Sequence, residues 1–129
     1  MAFAPRFLSL SRVVEIQRDS IETYGGDPGV RDMALLESAI AQPRATFGGQ
    51  FLHDDLPTMA AAYLYHLVMN HPFVDGDKRV GAISAFVFLD INEFDFDAPE
   101  PDYRDLVMDL AAGKLDKSDV IAFFKRHTR

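Results

Sequence analysis

The stretch PTMAAAYLYHLVMN-HPFVDGDKR-VGAISAFVFLDI, residues 57–91, decides how the rest of the chain is read. Pro57 suits the first position of a helix, where its missing N–H costs nothing, and Ala60, Ala61, Ala62, Leu64, Leu67 and Val68 carry that helix to about Asn70. His71-Pro72 ends it, because the residue before a proline is pushed out of the helical region. A second helix is expected from Lys78 to about Ile91. Val80, Ile83, Val87 and Ile91 line one face of it and Ala82, Phe86 and Leu89 another, so it reads as the buried central helix.

Working outward, Ser9 or Ser11 can cap a helix bearing Val13, Val14, Ile16 and Ile21, with Gly25-Gly26 as its stop after Tyr24. Asp32 can cap a second, Met33 to Gln42, with Leu35, Leu36, Ala39 and Ile40 on one stripe before Pro43. Between Arg44 and Asp55 the period changes. Thr46-Phe47 and Gln50-Phe51 flank Gly48-Gly49, a two-residue turn of the kind that closes β-hairpins, so a small exposed flap is expected. Asn92 to Pro101 reads as a loop with a short extended piece at Phe94-Asp95-Phe96. Two helices follow near Asp102–Ala112 and Lys117–Lys125, separated by Gly113. The expected architecture is all-α, one domain over residues 1–129, with a β-hairpin flap.

With 129 residues and 48% of them apolar, the chain can bury one real core. Thirteen Lys and Arg against twenty Asp and Glu give a net charge of −7, which repels phosphate backbones and argues against direct nucleic-acid binding. No cysteine is present, so disulfides, thiolate chemistry and Cys-based zinc sites are excluded, which fits a reducing compartment; cytoplasmic location is the expectation. The start MAFAPRFLSL lacks a long apolar run, and no later stretch approaches the roughly 18 apolar residues of a membrane span. Neither leader nor membrane is expected.

The nine residues His71 to Arg79 hold an imidazole, an aromatic anchor, two carboxylates, a glycine and two cations at a helix-to-helix junction. Taken singly, each has an ordinary explanation. His71 suits a helix end, Asp75-Gly76-Asp77 an Asx turn, Lys78-Arg79 a solvated first turn, and Phe73 and Val74 are core anchors. Together they make the parts of a phosphoryl- or nucleotidyl-transfer site. The N-terminus of the following helix favours an anion through its unpaired N–H groups, and Lys78 and Arg79 add full charge there. Gly76 lets the backbone approach an oxygen closely, Asp75 can hold Mg²⁺, and His71 can take a proton from an incoming hydroxyl. The lone histidines His53, His66 and His127 read as surface or packing residues.

The run His-Pro-Phe-Val-Asp-Gly-Asp-Lys-Arg resembles the Fic/Doc signature, His-x-Phe-x-Asp/Glu-Gly/Ala-Asn-Gly/Lys-Arg, and the lysine at its eighth place is similar to the Doc branch. Tyr24-Gly25-Gly26, Gly29-Val30-Arg31-Asp32 with Leu35-Leu36-Glu37-Ser38-Ala39, Phe47-Gly48-Gly49 and Ala60-Ala61-Ala62-Tyr63 resemble segments of Doc-like toxins in the same order. The resemblance implies a six-helix Fic/Doc fold, ATP or another nucleoside triphosphate with Mg²⁺, and modification of a protein hydroxyl. It implies His71 as base, Asp75 as metal ligand, Gly76, Asp77 and Lys78 as phosphate cradle and Arg79 as phosphate clamp. The flap residues Phe47, Gly48, Gly49, Gln50 and Phe51 would dock the target as an added strand. By the same resemblance the target is a translation factor such as elongation factor Tu, and a cognate antitoxin silences the protein.

Two positions depart from that signature. Ala82 stands where Fic proteins carry a second arginine, a loss shared with Doc that favours transfer of the terminal phosphate over transfer of AMP. Asp77 stands where asparagine is usual, and an ionised carboxylate accepts from donors and repels phosphate, whereas an amide can also donate. Three consequences stay open: Asp77 joins Asp75 as a metal ligand, turns outward, or leaves a weak or inactive relative. AMP transfer and a non-catalytic binding module are therefore the alternatives to a Doc-type phosphotransferase.

Overall fold

Among the described residues, 4–129 of the computed structural model, six α-helices and one β-hairpin follow one another. Met1, Ala2 and Phe3, the start of the stretch read above for a leader, lie outside the described residues. Helix α1 spans Leu10–Tyr24; the Ser9 hydroxyl accepts from the Arg12 N–H at 3.1 Å, and Gly25 closes it at φ 87°. Helix α2 spans Met33–Ala41 behind Asp32, whose carboxylate accepts from the Leu35 N–H at 3.0 Å. It stops one residue short of the expectation, because Pro43 draws Gln42–Arg44 into a 3₁₀ turn. Helix α3 spans Leu56–Asn70 behind the cap Asp55, with Pro57 in its first turn. Helix α4 spans Asp77–Ile91, α5 Glu100–Ala111 and α6 Lys117–His127. The last begins with a capping box in which Asp116 and Asp119 each accept from the other's N–H.

The hairpin pairs β1, Thr46–Phe47, with β2, Gln50–Phe51, in the register Thr46↔Phe51 and Phe47↔Gln50. Gly48 and Gly49 take φ of 59° and 81°, the pair of positive values that a two-residue turn needs and that side-chain-bearing residues resist. Phe47 is 80% exposed at its tip.

The centre of the fold is α3, which is the correction to the sequence reading. Ten of its fifteen residues are buried, and it packs against α2, α4, α5 and α6. Helix α4 is one-sided instead. Its buried stripe is Val80, Gly81, Ser84, Ala85, Phe88 and Leu89, while Phe86 is 47% exposed. Half of the stripe, Gly81, Ser84 and Ala85, is small residues, which apolar counting underweights and which let two helices approach closely. A methyl at Gly81 would meet Val68 Cγ2 at 3.1 Å and the Leu64 carbonyl oxygen at 3.3 Å, so α4 lies almost backbone-to-backbone on α3 there.

The far end is closed by rings. Phe96 stacks on Phe124 with centroids 4.9 Å apart and meets Tyr103 edge-on at 4.8 Å, tying the loop after α4 to α5 and α6. The extended piece expected near Phe94–Phe96 is real but minimal: Phe96 bridges Thr128, and Asp95 and Arg129 exchange backbone hydrogen bonds at 3.0 and 2.8 Å. No helix among the described residues is long and apolar enough to cross a membrane.

Candidate functional site

The base candidate sits at a strained joint. His71 is the C-cap of α3 in the left-handed region, φ 48° and ψ 52°, a conformation that costs a non-glycine residue about 1–2 kcal/mol. Arg31 supplies the compensation. Its Nε donates to the His71 carbonyl at 2.7 Å and its Nη2 to that of Asn70 at 3.2 Å, satisfying acceptors that the helix end leaves open. The backbone N–H groups of Arg31 and Asp32 both donate to the Pro72 carbonyl, at 2.8 and 3.1 Å. The imidazole itself is 63% exposed.

Beyond Pro72 the loop is laced to the segment between α1 and α2. Phe73 is 1% exposed and bridges Val30, and the Val74 N–H donates to the Gly29 carbonyl at 3.1 Å. Val74 is not the core anchor expected of it, since its side chain is half exposed. Asp75 Oδ2 accepts from the Asp27 N–H at 2.9 Å, while its carbonyl accepts from Gln17 Nε2 at 3.2 Å. Gln17 is buried in α1 and donates to the Asp27 carbonyl as well, so one amide ties the two loops together. The approach is close enough that a methyl at Gly26 would fall 3.2 Å from Asp75 Cβ and 2.9 Å from Ile21 Cδ1.

Helix α4 then starts bare. Gly76 is its N-cap at φ 85°, and no side chain caps the first turn. The N-terminal N–H groups are left facing a cleft of about 390 Å³ whose lining includes His71, Asp75, Gly76, Asp77, Lys78 and Arg79. Lys78 is exposed on its rim. Arg79 is held by its Nη2, which donates to the Gly25 carbonyl at 3.0 Å, and by Tyr24, whose ring lies 5.4 Å from the guanidinium carbon. The residues expected to carry base, metal ligand and anion cradle therefore share one cleft.

Asp77 has not turned outward. Oδ1 accepts from the Phe73 N–H at 2.9 Å, closing the loop on itself, and Oδ2 lies 3.6 Å from His71 Nδ1. Burial pushes its carboxyl above the usual range, against the opposing pull of the Phe73 N–H, His71 and Arg31. The flap displays Phe47 at its tip while Phe51 of β2 packs back against Phe7 with ring centroids 5.8 Å apart, and its strands are two residues long.

Whether the residues fit a nucleotide and Mg²⁺ turns on donors. The uncapped helix start and two cations suit polyphosphate, and Asp75 lines the same cleft. Among the described residues no group of three or more His, Cys, Asp or Glu could hold a metal alone. That agrees with Mg²⁺, which takes one or two carboxylates and completes its shell with substrate phosphates and water.

Sequence reasoning assigns no role to Gln17, Asp27 or Arg31. Gln17 had a signal: a long polar side chain among Val13, Ile16, Ser20 and Ile21, on the buried stripe of α1. For Arg31 the only hint was its place in Gly29-Val30-Arg31-Asp32.

A model described as the Fic/DOC family matches residues 7–89, a span that contains α1 to α4, the flap and the whole of the cleft loop. Toxin Doc of Mycolicibacterium smegmatis (strain ATCC 700084 / mc(2)155) is 38% identical over 105 residues, covering 77% of this chain and 78% of that protein. An all-α fold that ends its central helix on His71 and opens the next on a bare glycine cap is thus matched in sequence over well over half its length: the chain belongs to the Fic/DOC family.

Proposed function

We propose that this chain is a cytoplasmic toxin of the Doc type, which transfers the γ-phosphate of a nucleoside triphosphate to a hydroxyl of a protein target. The observation that carries the reading is the sharing of one cleft by His71, Asp75 and the uncapped N-terminus of α4 with Lys78 and Arg79. The name of the 38% identical relative, Toxin Doc, supports the toxin part and with it a cognate antitoxin. A translation factor such as elongation factor Tu is the proposed target, docked along the flap edge.

In that reading the imidazole of His71 takes the proton of the target hydroxyl as its oxygen bonds to the γ-phosphorus. The bond from phosphorus to the bridging oxygen breaks, and the nucleoside diphosphate leaves. Lys78, Arg79 and the first N–H groups of α4 hold the phosphate oxygens, whose charge shifts during transfer. Asp75 would hold Mg²⁺; when bound, the ion supplies neutralisation of phosphate charge. A second cleft of about 270 Å³ between α4 and α5 shares Lys78 and Arg79 and is walled by Ala82, Tyr103, Val107 and Met108. Its apolar walls suit the nucleotide base. Ala82 there, in place of an arginine, favours phosphate over AMP as the group transferred.

The test is incubation of the purified chain and Mg²⁺ with a bacterial lysate and ATP labelled separately at the α- and γ-phosphates, beside His71→Ala. Gamma label alone on a protein, abolished by the substitution, supports the reading. Alpha label means AMP transfer instead. Transfer of neither label by folded protein moves the assignment to a non-catalytic binding module.

A further inference from the structure

Asp77 is the residue of the cleft that sets this chain apart from its family's signature, and both oxygens of its carboxylate face groups of the same loop. One oxygen is spent on the Phe73 N–H at 2.9 Å. The other is left 3.6 Å from His71 Nδ1, with only 15% of the Asp77 side chain exposed. From this geometry we infer that Asp77 is a positioning residue for His71: it holds the imidazole in the tautomer with hydrogen on Nδ1, leaving the Nε2 lone pair free to act as base. The inference rests on His71 acting as the base, as proposed above.

A histidine has two ring nitrogens, and the partner of one decides the state of the other. An ionised carboxylate can only accept, so the nitrogen that faces it carries the hydrogen. At 3.6 Å the contact is an ion-pair distance rather than a full hydrogen bond. Such contacts in unliganded sites are commonly long and tighten when substrate arrives. The backbone of His71 is already fixed by Arg31 through two carbonyls, so ring rotation is the main freedom left, and Asp77 limits it.

Asparagine at the same position keeps one half of this arrangement and reverses the other. Its oxygen can still accept from the Phe73 N–H, which preserves the loop. Its amide group then presents hydrogens toward Nδ1, favouring hydrogen on Nε2, the wrong tautomer for a base acting through that atom. Asparagine also removes a negative charge beside the phosphate cradle. Asp77 therefore exchanges nucleotide affinity for a better-oriented base, and the two effects fall on different kinetic constants.

The experiment compares the full chain with Asp77→Asn, whose retained Phe73 contact keeps the fold, checked by thermal melting. Long-range proton–nitrogen spectra of the neutral His71 ring should show Nδ1 protonated in the wild type. In Asp77→Asn that preference should be lost or reversed. In the transfer assay kcat should fall by about tenfold or more while KM for the nucleotide also falls. A role confined to closing the loop leaves kcat and the tautomer unchanged, whatever the lost charge does to KM, and that result overturns the inference. So does a wild-type ring protonated on Nε2, or a variant with equal or higher kcat. If the wild type transfers no phosphate, the phosphotransferase reading fails by itself, and the ring spectra still decide the tautomer claim.

Discussion

Replacing Gly81 by alanine tests whether the spacing of α3 and α4 is set by contact at that residue. Two effects oppose each other. In a helix interior alanine is favoured over glycine by about 1 kcal/mol, because glycine loses more backbone freedom on folding. Against this, the added methyl would lie 3.1 Å from Val68 Cγ2, 3.2 Å from Leu64 Cδ1 and 3.3 Å from the Leu64 carbonyl oxygen. The side-chain atoms can yield by rotation, but the carbonyl belongs to α3 and moves only with the helix. Overpacking of this kind costs about 1–3 kcal/mol, so the net effect is a destabilisation of about 1 kcal/mol. For a chain of 129 residues that lowers Tm by about 3–6 °C. Circular-dichroism melting at fixed concentration and pH measures it. Because His71 caps α3 and the proposed anion cradle opens α4, the same displacement changes their separation, and the proposed transfer activity should fall even well below Tm. A Tm equal to or above that of the wild type, with activity intact, would show slack between the helices and refute the argument.

Three further outcomes follow from single contacts. In Tyr63→Phe the buried Leu8 N–H loses the phenol oxygen that accepts from it at 2.9 Å, so urea unfolding should report a loss of about 1–3 kcal/mol, and unchanged stability would deny that the bond matters. Lys117 lies 2.9 Å from His53 Nε2 and 3.0 Å from His66 Nε2, and burial, then the charge of Lys117 and then His53 push the His66 imidazole down to about 4 from 6.5. The unfolded chain therefore binds the proton first, so stability present above pH 6.5 is lost as pH falls toward 4; Lys117→Met should reduce that slope in a Tm-against-pH series, leaving the part due to burial, and an unaltered slope would exonerate Lys117. Asp75→Ala should abolish the Mg²⁺-dependent part of nucleotide binding in calorimetry; binding that responds to Mg²⁺ as before would remove Asp75 as the metal ligand.

The elements were legible where their ends carry local chemistry. Ser9 and Asp32 cap the helices they precede, and Gly48-Gly49 makes its turn, because each acts within three or four residues of itself. The ranking of helices by burial was less legible, because it depends on neighbours. Phe86, Val87 and Ile91 made α4 look central, yet what α3 demands of its partner is closeness, which Gly81, Ser84 and Ala85 provide. The histidines read as packing residues do pack, but not apart: His53 and His66 share Lys117 from three separate segments, an arrangement no local pattern encodes.

The site divides along the same line. Seven of the residues that line the cleft, His71 and Val74 to Arg79, fall within nine positions of the sequence, so they can be read together as one loop. What makes them usable is not contiguous. Arg31 stabilises the strained cap at His71 from 40 positions away, and Gln17 reaches Asp75 from 58 away. Both act on backbone carbonyls, which every residue possesses, so nothing in the recipient's identity reveals the contact. Asp77 shows the converse. As a departure from a signature it was visible at once, but its meaning depended on where two carboxylate oxygens point, and a rotation about one bond separates a metal ligand from a partner of His71. A short loop thus displays its residue types in sequence, while the geometry that selects among their possible roles is fixed by segments that fold against it.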